Sequence, residues 1–133
     1  MDGKIALEEH FSLPETLGEA IQSKIFEKSW PDLRRRLLDL SDERLRQMDK
    51  NGIERMILSL NSPAVQGIPE TGRALETARR ANDVLAEAIA KHPDRFSGFA
   101  ALPMQDPESA IGELIRSVTQ LGLKGPNVNG FSQ

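Results

Sequence analysis

Four short apolar runs punctuate the chain, at residues 4–8, 53–60, 95–102 and 123–128. Between them the apolar positions recur every three or four residues. The runs have strand length, and the longer recurrence is that of a helix with one buried face. Residues 71–91 carry Leu75, Ala78, Ala81, Leu85, Ala88 and Ile89 on one face, with Arg79, Arg80, Asp83 and Glu87 mostly elsewhere. Residues 107–121 carry Ile111, Leu114, Ile115, Val118 and Leu121 as their apolar stripe. Asp106 is placed to cap that helix and Pro107 suits its first position. Ser41 or Asp42 caps a further helix with Leu45 and Met48 inward. Stop signals precede each later run: Asn51-Gly52 for a left-handed cap, His92-Pro93 because a residue before proline leaves helical geometry, and Gly122. Residues 14–40 read as an insertion, with a short helix, a turn at Trp30-Pro31 and another helix.

Strands alternating with helices predict a parallel sheet with helices outside it and right-handed crossovers. The order is strand, insertion and helix, strand, helix, strand, helix, strand. The chain then runs out at Asn129-Gly130-Phe131-Ser132-Gln133 with no helix after the fourth run. A fourth strand left so would expose an edge. The pattern predicts an α/β fold, the amino-terminal portion of a (β/α)8 barrel with about four parallel strands, whose usual size is about 250 residues. A complete doubly wound sheet is the alternative, without the glycine-rich phosphate loop that would recommend it.

At 133 residues, one domain is expected, and the net charge of −3 is mild. No basic stripe points to nucleic acid. Arg34-Arg35-Arg36, flanked by Leu33 and Leu37-Leu38, reads as the wet face of a helix. There is no cysteine, hence no disulfide and no thiolate metal site. The opening residues MDGKIALEE are too acidic for a signal peptide, and no apolar run approaches a membrane span. A cytoplasmic protein with neither nucleic-acid nor membrane partners is expected.

Candidate chemistry concentrates in IALEEHF. Glu8 and His10 are two apart, so on a strand they share a side while Glu9 points the other way. A carboxylate and an imidazole converging on one point make half of a transition-metal site. Spacing alone favours the plainer reading, the solvated end of a surface strand, because E-x-H matches are common by chance. Ligands in parallel α/β folds bind at the carboxyl ends of strands. That places Glu8, His10 and Phe11 after the first run, Asn61, Ser62 and Pro63 after the second, Pro103, Met104 and Gln105 after the third, and Asn127, Asn129 and Phe131 after the fourth. Asn61 and Asn129 suit substrate orientation, or alternatively serve loop backbone. His92 suits a helix end, where its protonated form complements the dipole. Trp30 fits a lid or the core. Ser12, Ser59 and Ser62 have no histidine near them in sequence and no nucleophile-elbow pattern, which argues against a serine hydrolase.

Several blocks of the chain resemble one family. KIALEEHF, RRLLDLSDERLRQMDKNGIERMILSLNSPAVQ, ARRANDVLAEAIAKHPDRFSGFAALPMQDPESA and VNGFSQ are similar to the metal-dependent, non-oxidative aromatic-acid decarboxylases of the amidohydrolase superfamily. The resemblance covers essentially all of this chain and the amino-terminal part of the family's length. It implies one amidohydrolase-like (β/α)8 domain, of which residues 1–133 are the amino-terminal part with an inserted segment at about 14–40. It implies a homotetramer or dimer and a divalent metal, zinc or manganese, held in part by Glu8 and His10. It implies reversible decarboxylation of a small phenolic carboxylic acid of the 2,6-dihydroxybenzoate type. Asn129, with Asn61 and Phe11, would contact that substrate. The family's remaining ligands, a histidine and an aspartate that is also the proton donor, come from later strands, so no catalytic acid is expected within this chain. Pro126-Asn127 stands where the family usually has an apolar pair, and a proline there is expected to remove a ladder hydrogen bond. Two protein ligands fall short of a catalytic zinc site. The chain alone is therefore expected to be inactive or nearly so. A hydrolase of the same superfamily and a non-catalytic half-barrel module are the competing readings.

Overall fold

The computed structural model describes residues 3–17 and 28–130. Strands β1 (Lys4–Phe11), β2 (Ile53–Leu60) and β3 (Phe96–Gly98) form a parallel sheet in the order β1-β2-β3. Helices α1 (Trp30–Leu38) and α2 (Asp42–Asn51) lie between the first two strands in sequence, α3 (Thr71–Lys91) between the second and third, and α4 (Pro107–Thr119) follows the third. These are successive strand–helix units in the order a (β/α)8 barrel uses.

β2 is central, and its Met56, Leu58, Ser59 and Leu60 are all buried, as a strand covered on both faces requires. Phe11, Met48, Leu85, Phe96 and Leu123 complete the deepest part of the core. α3 offers the sheet a face of small residues, Ala74, Ala78, Ala81 and Ala88. The approach is close at Gly98, where a Cβ would stand 2.6 Å from Leu85 Cδ2. Gly52 closes α2 at φ 65°, donating its N–H to Asp49 and Met48 carbonyls, as the Asn51-Gly52 signal predicts.

Caps differ in detail from the expectation. Neither Ser41 nor Asp106 bonds the helix backbone through its side chain. Asp39 does so for α2, its Oδ2 accepting the Arg44 N–H at 2.7 Å. Trp30-Pro31 forms the first turn of α1 rather than a turn before it, and Trp30 is half-buried there. Arg34, Arg35 and Arg36 are exposed as expected, with Arg35 and Arg36 paired to Asp32. Within the insertion, Pro14–Thr16 is a 3-10 turn, and the part of the first expected helix at 18–27 lies outside the described residues.

Two larger differences concern α4 and the fourth strand. Ile111, Ile115 and Val118 are 60%, 57% and 45% exposed, while Ala110, Glu113 and Ser117 face inward. α4 is rotated toward α3 because Glu113 and Ser117 bond to Asn82 there, which leaves one apolar flank uncovered among the described residues. The third run is a strand only over Phe96–Gly98, and the fourth pairs as one parallel bridge, Ala100 with Pro126. Ala100 donates to Gly125 O at 2.8 Å, and Asn127 donates to Ala100 O at 2.9 Å. In that register the nitrogen of Pro126 faces away from Ala100, so the proline costs no bond in this bridge. Among the described residues no helix is long and apolar enough to cross a membrane.

Candidate metal centre

β1 ends where its ladder with β2 is most regular. Phe11 pairs with Leu60 and His10 with Ser59. Upstream the register slips: Ala6 and Glu9 answer Met56 and Leu58, so β1 spends one extra residue over Leu7 and Glu8. Glu9 lines a cleft with Arg44 of α2, close enough for its charge to favour the guanidinium, and Glu8 and His10 line the same cleft.

The His10 ring is half-buried, and its Nδ1 lies 3.1 Å from the hydroxyl of Ser59. With Nδ1 so engaged, Nε2 is the nitrogen left to bind a metal, and Nδ1–H then donates to Ser59 Oγ. The Glu8 side chain is exposed, and its carboxylate has no hydrogen-bond or ion-pair partner among the described residues. A carboxylate and an imidazole tied at one nitrogen are donor types that a divalent metal such as manganese or zinc takes. Among the described residues no group of three or more His, Asp or Glu side chains is gathered as a complete metal site. Glu8 and His10 remain two candidate donors, short of a closed set.

Phe11 does not face this strand end. It is 1% exposed, packed in the core on the side of Leu60. The alternation that brings His10 to the site turns its neighbour into the helix layer, where Phe11 packs. Asn61 is buried beside the site, its Oδ1 accepting the Ser12 hydroxyl at 2.5 Å and its N–H bonding Phe11 O at 2.9 Å. Asn129 is half-buried, with Nδ2 donating to Pro63 O at 3.3 Å. Phe131 lies outside the described residues. His92 ends α3 and packs edge-on against Phe96, a structural position.

Three participants were not singled out from the sequence as site residues. Gln66 is buried and clasps the Asn129 backbone at two points, accepting its N–H at 2.7 Å and donating to its carbonyl at 3.2 Å. Ser59 sits beside His10 although it is 49 positions away. Aligning the ends of IALEEHF and IERMILSL in parallel would have revealed it. Arg44 donates to the His10 carbonyl at 2.9 Å. Gln105, from the strand-end set, turns its Nε2 to the carbonyls of Val65 and Ile68 and anchors the loop after β2.

A parallel α/β sheet with an E-x-H pair at the carboxyl end of its first strand is the architecture of barrel-type metal-dependent enzymes. The chain belongs to the amidohydrolase family, whose model matches residues 10–132. It is 63% identical to the gamma-resorcylate decarboxylase of Polaromonas sp. (strain JS666), over all of this chain and 40% of that protein. It is 62% identical to the gamma-resorcylate decarboxylase of Rhodococcus jostii (strain RHA1), with the same coverage. Its structure is similar to a crystal structure of dihydroxybenzoic acid decarboxylase from Polaromonas sp. JS666 with bound manganese and the inhibitor 2-nitroresorcinol. That match has a TM-score of 0.91 and 61% identity over 100% of this chain and 40% of that one. The chain therefore spans about 40% of the length of the curated relatives it matches.

Proposed function

We propose that this chain carries part of the active site of a divalent-metal-dependent, non-oxidative decarboxylase acting on a hydroxybenzoate of the 2,6-dihydroxybenzoate type. The observation that carries the reading is the state of Glu8 and His10. One is a carboxylate with no partner among the described residues, and the other is an imidazole held through Nδ1 by Ser59. Identity of 63% to a gamma-resorcylate decarboxylase across this whole stretch supports the choice of reaction.

In the overall reaction the ring carbon bearing the carboxylate gains a proton, the bond to that carboxylate breaks, and carbon dioxide leaves. Glu8 and His10 would hold part of the metal's coordination, and a metal there would supply charge stabilisation and orient the substrate. Ser59 fixes the imidazole ring. Asn129, clasped by Gln66, presents a half-buried amide near the substrate's edge. The proton donor and the further ligands come from outside the described residues.

Metal content tests the reading. After gel filtration, elemental analysis of the wild-type chain is expected to find manganese or zinc retained above the level in Glu8→Ala/His10→Ala. Equal metal in the two proteins would remove Glu8 and His10 from the ligand set.

A further inference from the structure

Among the described residues β1 pairs with β2 alone, and backbone groups at its carboxyl end that face away from β2 find other partners. These come from the segment between β1 and β2. Ser12 N–H donates to Leu37 O at 2.9 Å, which satisfies one group. The next group is the His10 carbonyl, and it accepts from a side chain: Arg44 Nη2 at 2.9 Å. The same guanidinium donates to Arg36 O at 3.0 Å and, through Nε, to Asp39 O at 2.8 Å. Its remaining nitrogen rests 3.7 Å from the sulfur of Met56. Arg44 is half-buried, with the Asp39 and Glu9 carboxylates near it. A desolvated guanidinium is costly unless its donors are used. Here they grip the end of α1, the α1–α2 turn and the end of β1 together.

We propose that Arg44 is a positioning residue for His10, holding its carbonyl while Ser59 sets the ring. Backbone and imidazole of the ligand are then fixed from opposite sides. A lysine cannot reproduce this, because one ammonium cannot fork to three carbonyls set by a planar group. The proposal rests on the reading of His10 as a metal ligand.

The 133-residue chain contains two histidines, His10 and His92, so the second is an internal control. Manganese(II) chloride is titrated into wild type and Arg44→Met, Arg44→Lys and Ser59→Ala, and paramagnetic broadening of each imidazole is followed by NMR. In wild type, His10 is expected to broaden well before His92. In Arg44→Met and Ser59→Ala the required manganese rises about tenfold, the usual scale for losing a partner that orients a ligand, with Arg44→Lys between. Circular dichroism and urea unfolding establish that each variant is folded under the titration conditions. Wild-type affinity in folded Arg44→Met would overturn the proposal. Simultaneous broadening of His10 and His92 in wild type would instead sink the ligand reading. The grip itself is then judged without metal, from the His10 carbonyl ¹³C shift and the exchange rate of the Ser12 amide. A changed shift and faster exchange in Arg44→Met are expected, and values unchanged from wild type overturn the proposal.

Discussion

Gln66 shows how a residue with unremarkable sequence context comes to govern a candidate substrate contact. Its carboxamide is buried, and it meets both backbone groups of Asn129, 63 positions later, as a neighbouring strand would. Gln66→Leu removes both bonds and leaves the Asn129 N–H facing an apolar surface. The expected cost is about 1–3 kcal/mol, the range for a buried polar group left unpaired, read as a lower urea midpoint. An unchanged midpoint would mean that water or a shifted loop replaces the clasp. Glu8, His10 and Asn129 stood out as candidates because each lies at the end of an apolar run, where parallel folds place their chemistry. Ser59 and Gln66 did not, because what makes them relevant is a register and a loop contact between distant positions. The burial of Phe11 was hidden for a related reason: the run's end was visible, but the side to which each residue turns depends on the pairing with β2.

Elements with their own start and stop signals were legible almost to the residue. α3 occupies Thr71–Lys91, the interval between the apolar recurrence and His92-Pro93. The strand over Ile53–Leu60 begins directly after its glycine cap. Where an element depends on what lies beside it, local pattern was insufficient. The third and fourth apolar runs pair over only a few residues, and α4 turns a polar face inward because Asn82 is there to receive it. The packing of α3 on β3 gives the sharpest test at this scale. Gly98 lies under Leu85 and Ile89, and a methyl group added there would meet Leu85 Cγ at 3.0 Å and Ile89 Cδ1 at 3.2 Å as well as Leu85 Cδ2. Because these contacts are with a helix seated on the sheet, the helix must move or the rotamers must change. Gly98→Ala is expected to destabilise the chain by about 1–3 kcal/mol, as overpacking does. Gly112, with nothing within 4 Å of its Cβ position, tolerates the same change. Equal urea midpoints for the two variants would show that α3 does not press on β3.

At the scale of the whole molecule, the units are held together by a polar network in an otherwise apolar layer. Glu113 of α4 is 1% exposed. Its carboxylate accepts from Asn82 at 2.7 Å, from Arg116 at 2.8 and 2.9 Å, and from Ser117 at 3.3 Å. Asn82 on α3 also accepts the Ala101 N–H at 2.8 Å and donates to the Ala101 carbonyl at 3.0 Å. One carboxylate thus connects two helices and the chain beyond β3. Burial alone would push the Glu113 pKa up, but the hydrogen bonds from Arg116, Asn82 and Ser117 outweigh it, and the net displacement is below the ordinary 4.5. Between the folded and unfolded pKa values the unfolded chain binds more protons, so stability rises with pH in that interval. The contribution is therefore complete above the ordinary glutamate range and is lost as pH falls through the lowered folded value. Glu113→Gln keeps the shape and removes the charge, and Arg116 retains Asp83 at 2.7 Å. At pH 7 the variant is expected to be less stable by about 1–3 kcal/mol, the scale for disturbing hydrogen bonds to a charged group. The gap should close in acid as the wild-type carboxylate takes up its proton. Urea midpoints of both proteins across that range decide the matter, and a gap of constant size would mean that the link between α3 and α4 does not depend on the charge of Glu113.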